Sequence, residues 1–186
     1  MGDNPTPKER LLEAVVDHLG RTGLGDTSLR GIAAGVGTSH RMLSYHFASR
    51  TRLLVAVAQH VEQQQRDGLA EMMASGLSPV ELMRAMWAGI ADPSLHPQER
   101  LFFELYARAL QGGEEAEGFL PEAVEAWIGP STELFRALGL PEEEARAEAR
   151  LSLAVARGLL LDLLATGDRS AVDAAAERYA SRFVTE

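Results

Sequence analysis

Arg41 is the residue of this chain whose chemistry is easiest to name. It follows His40 at the start of a short helical run, and Ser44 comes about one turn later on the same side. A guanidinium at a helix start can donate two parallel hydrogen bonds to the edge of a guanine, and an imidazole or hydroxyl beside it can add a further contact. Met42, next in line, can touch a thymine methyl group or fill a core. Around them stand residues suited to gripping a phosphate backbone, Thr27, Ser28, Arg30, Tyr45, His46 and Arg50, with Thr38 and Ser39 as further DNA-binding candidates at the helix start. Hydroxyls, cations and the free amides of helix starts orient a protein on nucleic acid without reading its sequence.

Such side chains need a rigid frame, and the residue spacing supplies one. Thr27 or Ser28 can cap a short helix in which Leu29, Ile32, Ala33 and Val36 form an apolar stripe. Gly35 and Gly37 bracket its exit, since glycine lets a helix end in a left-handed turn. Thr38 and Ser39 can cap a second helix, His40 to Phe47, with Leu43 and Phe47 on one face. Ser49 then caps a longer helix from Arg50, with Leu53, Leu54, Val57 and Val61 on its apolar side. Upstream, Leu11, Leu12, Val15, Val16 and Leu19 make an amphipathic helix able to pack on the short pair. Two short helices joined by a glycine-bearing turn are a helix-turn-helix, whose second helix lies in the DNA major groove.

Leu43-Ser44-Tyr45-His46-Phe47, then Ala48-Ser49-Arg50 and Leu53-Leu54, resembles the L-Y-x-H-F-x-S-K-x-x-L-L signature of the tetracycline-repressor (TetR) family. Gly23, the Thr-Ser start and Ile32-Ala33 agree with it, and the resemblance is specific over roughly residues 8–56. Two departures stand out: Val36 to Phe47 is about two residues longer than the family spacing, and Ser44 replaces the usual Tyr. The resemblance implies phosphate contacts at Thr27, His46 and Arg50, a homodimer, and a small-molecule effector enclosed by the C-terminal region. It also implies repression as the output.

The formal net charge of −9 over 186 residues argues against a nucleic-acid partner until its distribution is read. Residues 1–60 hold seven basic and five acidic side chains, whereas the remainder holds 11 and 22. From Arg21 to Arg52 there are five arginines and one aspartate, a local excess of four positive charges. Phosphates are met at close range and screening is strong beyond roughly 10 Å, so the local sign governs. The absence of cysteine excludes a disulfide scaffold and thiolate metal sites. No apolar run of about 18 residues indicates a membrane span. The polar start, Met1 to Lys8, lacks the apolar middle of a secretory signal, so the expected location is the cytoplasm.

Past Gly76 the punctuation predicts further helices and no strand. Ser78-Pro79 opens one and Asp92-Pro93 closes it; His96-Pro97 opens the next, which ends at Gly112-Gly113. A third starts at Pro121, is interrupted near Gly129-Pro130 and ends at Gly139. Another runs from Pro141 to about Ala165, and a last one to about Val184. The fold class is therefore all-α: a three-helix helix-turn-helix domain over residues 6–56, then a helical effector-binding and dimerisation domain over 57–186.

Aromatic and Met side chains concentrate between residues 80 and 135, and Met83, Trp87, Phe103, Tyr106 and Trp127 are the candidate effector contacts. The last two helices carry Leu151, Leu159, Leu161, Val172 and Ala176, more apolar surface than one chain need cover, which suits two-fold pairing. No catalytic constellation, phosphate loop or metal-spaced His pair is present, so no enzymatic activity, metal or cofactor is expected. The reading is a ligand-responsive homodimeric repressor of a palindromic double-stranded DNA operator. The alternative is an all-helical small-molecule-binding protein or enzyme whose helix-turn-helix is structural.

Overall fold

The computed structural model describes residues 5–23, 28–112 and 119–184. Among these the chain is helical and without strands: α1 Pro7–Thr22, α2 Leu29–Gly35, α3 His40–Phe47, α4 Arg50–Ala74, α5 Pro79–Ile90, α6 His96–Leu110, α7 Phe119–Ala137, α8 Glu142–Thr166 and α9 Arg169–Ala180. A 3-10 turn, Ser181–Phe183, follows α9. Contacts divide the chain into two compact units, Met1–Gln63 with Pro97–Leu120 and Gln64–His96 with Pro121–Glu186.

In the first unit the starts of α1 to α4 are each closed by a side chain. Thr6 and Glu9 form a reciprocal capping box on α1: the Glu9 amide donates to Thr6 Oγ1 at 3.2 Å and the Thr6 amide to Glu9 Oε2 at 2.7 Å. Ser28 caps α2, Ser39 caps α3, and the Arg52 amide donates to Ser49 Oγ at 3.1 Å in the first turn of α4. Beneath these caps, Val15, Val16 and Leu19 of α1, Ile32 and Ala33 of α2, Leu43 and Phe47 of α3, and Leu53, Leu54 and Val57 of α4 are buried. Fully burying side chains of this size is worth about 1.5–3 kcal/mol each, and this seats the two short helices. Neither is long enough to be stable alone. The His18 ring of α1 lies so close to Gly35 that a Cβ there would be 2.3 Å from it, so α2 has no room for a side chain unless His18 moves. On the same unit, Pro97 and Gln98 at the start of α6 lie against Gly20 of α1.

Two short connections set the angle of α3. Gly37, at φ 69°, lets the chain leave α2, and the Thr38 amide returns to the Ala33 carbonyl at 2.9 Å. After α3, Ala48 adopts φ 62°, ψ −51°, and the Ser49 amide donates to the Phe47 carbonyl at 2.7 Å. That is a γ-turn with positive φ, an uncommon and strained connection for a residue with a side chain.

The second unit packs α5, α7, α8 and α9. Ser78 and Glu81 form a capping box at α5, and Asp168 caps α9 by accepting the Ala171 amide at 3.0 Å. Phe135, Ala145 and Ala149 form a core against which Met83, Leu138, Leu140 and Phe183 pack. Helix α7 differs from expectation by running unbroken through Gly129-Pro130. Both residues are exposed, and the carbonyl that Pro130 leaves without its usual amide partner belongs to Ala126, which is partly exposed. On the other side Trp127, Ile128, Leu134 and Phe135 are buried, and the Thr132 hydroxyl donates to the Ile128 carbonyl at 2.6 Å. Packing there outweighs the local break. The last helix also ends earlier than expected, at Ala180, and finishes in the tighter 3-10 turn.

Candidate functional site

Helix α3 has two faces with different tasks. Leu43 (0% exposed) and Phe47 point into the head, and the Lys8 ammonium sits 5.7 Å from the Phe47 ring centre. The opposite face presents His40 and Arg41, both exposed, with Met42 43% and Tyr45 81% exposed. A tyrosine that open is not packing against α1. Ser44 is half-buried one turn beyond Arg41. His46 is half-buried too, its ring edge-on to Tyr45 at 5.0 Å and tilted to Phe47 at 6.2 Å.

The hydroxyls of Ser28 and Ser39 accept the amides of Gly31 (3.2 Å) and Met42 (3.1 Å). Capping occupies only the oxygen as acceptor, so each O–H remains able to donate to an anion. Thr38 is half-buried in the turn and Arg30 is exposed on α2. Arg50 is half-buried and engaged in an interaction at the start of α4. Thr27 lies outside the described residues. Among those described, Arg30, Arg41 and Arg52 are exposed and form no ion pair, which leaves three cations near the turn and α3 without local counterions.

A second candidate site is a cavity of about 410 Å³ in the second unit, within the size range of small-molecule pockets. Met83 and Trp87 of α5 line it, together with residues of α7, α8 and α9. The remaining expected contacts lie elsewhere. Phe103 and Tyr106 sit on α6 in the first unit, each close to the Phe102 ring at 5.5 and 5.6 Å, and Trp127 is buried in α7 away from the cavity lining. Sequence reasoning missed the cavity's polar wall. Trp87 Nε1 donates to Asp173 Oδ1 at 2.7 Å, and Arg169 Nε bonds both Asp173 oxygens at 2.8 and 2.7 Å. Arg84 grips Glu177 with two bonds of 2.8 and 2.6 Å. The four-residue spacing of Arg169 and Asp173 on one helix was a readable signal; the links from α5 to α9 had none.

These contacts set the electrostatics. The Arg84 hydrogen bonds, helped by the Ser181 hydroxyl, hold the Glu177 carboxyl at about 2. Burial pushes Asp173 upward, but the bonds from Trp87 and Arg169 outweigh it and hold the carboxyl below the usual range. Tyr179 is pushed up to about 12, chiefly by burial.

Residues 11–57 match the family model for bacterial regulatory proteins, tetR family. The HTH-type transcriptional regulator BetI 1 of Chromohalobacter salexigens is 28% identical over 95 residues, covering 50% of this chain and 47% of that protein. The matched stretch thus spans about half the length of that curated relative. A transcriptional regulator from Rhodococcus sp. Rha1 shares the fold across 96% of both chains, with a TM-score of 0.80 at 21% identity. A putative transcriptional regulator from Saccharomonospora viridis, solved in complex with choline, superposes with a TM-score of 0.74 at 18% identity, covering 95% of this chain and 94% of its own. The family match covers residues 11–57 alone, and the chain as a whole shares the fold of solved transcriptional regulators.

Proposed function

We propose that the chain is a ligand-responsive, homodimeric DNA-binding regulator that acts in the cytoplasm as a repressor on a palindromic operator. In this reading residues 6–56 form the DNA-binding domain and 57–186 the effector-binding and dimerisation domain. The outer face of α3 enters the major groove, where Arg41 and His40 meet base edges, Met42 a thymine methyl, and Ser44 a base or phosphate. Thr27, Ser28, Arg30, Thr38, Ser39, Tyr45, His46 and Arg50 hold the backbone. Two-fold pairing through α8 and α9 sets half-sites about 34–36 Å apart or a multiple of that. An effector in the second unit alters the heads through α4, with a coupling of roughly 1–3 kcal/mol.

One observation carries the reading: on α3, exposed Arg41, Met42 and Tyr45 lie opposite buried Leu43 and Phe47, and Arg41 has no acidic partner among the described residues. Pairing is supported by Leu151 and Leu161 of α8, which are 43% and 52% exposed, and effector binding by the cavity in the second unit. The test is a mobility-shift assay on DNA flanking the gene, repeated across salt and with Arg41→Ala. The expected result is sequence-selective binding that weakens steeply with salt. A folded dimer without selectivity for that DNA would favour the alternative, a helical small-molecule binder or enzyme with a structural head.

A further inference from the structure

The cavity in the second unit has a property that bears on what fits inside it. Its walls include Met83, Met86, Leu134, Val155 and Leu159, which are apolar. Its lining also holds two cations and two anions, and these are closed on one another. Arg84 Nη2 meets Glu177 Oε1 at 2.6 Å, and Arg169 Nε meets Asp173 Oδ2 at 2.7 Å. The Trp87 indole N–H is already given to Asp173, and Arg169 also donates to the Ala91 carbonyl at 2.6 Å. Arg84 keeps Glu177 at about 2, so both partners are ionised at neutral pH.

We propose that this cavity binds an uncharged, largely apolar molecule, with the Arg84–Glu177 and Arg169–Asp173 pairs acting as a filter against charged ligands. A charged group entering must either displace an existing partner or lie against apolar walls without a counterion, and both are unfavourable. A neutral molecule leaves both pairs intact and gains from burying apolar surface. The hydroxyl side chains Ser131 and Ser152 in the lining suit one neutral polar end. Because the pairs are about half exposed, the filter discriminates by a modest factor, about fivefold. The inference deepens the effector reading above and rests on it for the ligand's regulatory effect alone.

The test uses the full chain and three probes: neutral N-phenylnaphthylamine, its anionic relative anilinonaphthalenesulfonate, and benzyltrimethylammonium as a competing cation. The expected result is saturable binding of the neutral dye, with both ions about fivefold weaker or worse. Glu177→Gln uncovers Arg84 and should raise the sulfonate's affinity relative to the neutral dye by about fivefold; Arg84→Gln should do the same for the cation. Ala156→Phe on α8 and Ser131→Phe on α7 fill the space from two helices and should weaken the neutral dye, with a thermal melt to verify each fold. Should both fail to fold, the charge-switch variants still decide. The proposal is overturned if the sulfonate binds the wild type as tightly as the neutral dye, if Glu177→Gln leaves their ratio unchanged, or if dye binding survives both filled, folded variants. Selective DNA binding is measured in parallel. Its loss with the cavity results intact would sink the regulator reading alone, and the reverse would sink this proposal alone.

Discussion

Arg41 and Arg169 carry the same side chain into different situations. Arg41 stands exposed on α3 with no acidic partner among the described residues, while Arg169 holds Asp173 with bonds of 2.7 and 2.8 Å and reaches the Ala91 carbonyl as well. The contrast extends across the units. In the second, Arg84, Arg136, Arg146, Arg150 and Arg182 all lie within 3.5 Å of a carboxylate oxygen. In the first, Arg108 pairs with Glu104 on α6 at 2.8 Å, but Arg30, Arg41 and Arg52 around the turn and α3 do not pair. A guanidinium closed on a carboxylate organises its own chain, whereas one held outward on a capped helix is available to an anion from elsewhere. The net charge of −9 conceals this, because 22 of the 27 acidic side chains lie beyond residue 60, away from the arginines of the turn and α3.

The largest effect that can break the comparison comes from beneath the outward-facing arginine. Leu43 is fully buried and seats α3, so Leu43→Ala should cost about 2–5 kcal/mol and abolish DNA binding near the new melting temperature. Calorimetry and the shift assay read both. An unchanged Tm would mean that α3 is not held by this side chain.

Next come the arginines themselves. Arg41→Ala should lose roughly 1–3 kcal/mol on the operator and relax base preference, while shifting stability by no more than about 0.5 kcal/mol. Arg169→Ala should do the opposite, lowering stability by about 1 kcal/mol once its half-exposed setting is allowed for. Arg50→Ala should weaken all sequences alike. If Arg41→Ala melts early and spares DNA binding, the two arginines are not different in kind. Equal losses on operator and random DNA would remove Arg41 from base reading while leaving it on the backbone.

Acid sharpens the contrast from the other side. Glu177 sits at about 2 in the folded chain against an ordinary 4.5, so its pairing with Arg84 stabilises fully above 4.5 and is lost as pH falls toward 2. The Tm of the wild type should fall more steeply through that window than that of Glu177→Gln. Arg41→Ala, with no acid to lose, should track the wild type. Parallel curves for wild type and Glu177→Gln would show the pair to be idle.

Which of these features could be read beforehand follows from how far apart their causes lie. The Ser49 cap, the bounds of α3 and the start of α4 depend on residues within a turn or two, so spacing alone revealed them; it left Thr27 or Ser28, and Thr38 and Ser39, open as caps, and Ser28 and Ser39 fill those places. The outward direction of Arg41 and Tyr45 followed from placing Leu43 and Phe47 inside. The second unit was less open to reading. Arg84 and Glu177 are 93 residues apart, and Trp87 and Asp173 are 86 apart, so only the packing of α5 on α9 joins them. An aromatic count could not separate Trp87, which lines the cavity, from Trp127, which is buried in α7. Proline at 130 signals a break locally, yet buried neighbours carry the helix through it.

The smallest expected effect concerns the joint that aims the unpaired arginine. Ala48 links α3 to α4 with φ 62°, ψ −51°, a conformation that places its Cβ against the backbone and costs about 1–3 kcal/mol. Glycine there removes the clash but gives the unfolded chain more freedom, which costs about 0.5–1 kcal/mol. Ala48→Gly should therefore raise stability slightly, by about 1 kcal/mol or less, and Ala48→Val should lower it, because a branched side chain worsens the same clash. Ala48 is exposed, so neither change removes buried contact and the backbone effect is isolated. If the glycine variant is less stable than wild type by as much as its added chain entropy, the turn stores no strain. The angle of α3, and with it the aim of Arg41, then owes nothing to this residue and rests on Leu43, Phe47 and the two serine caps.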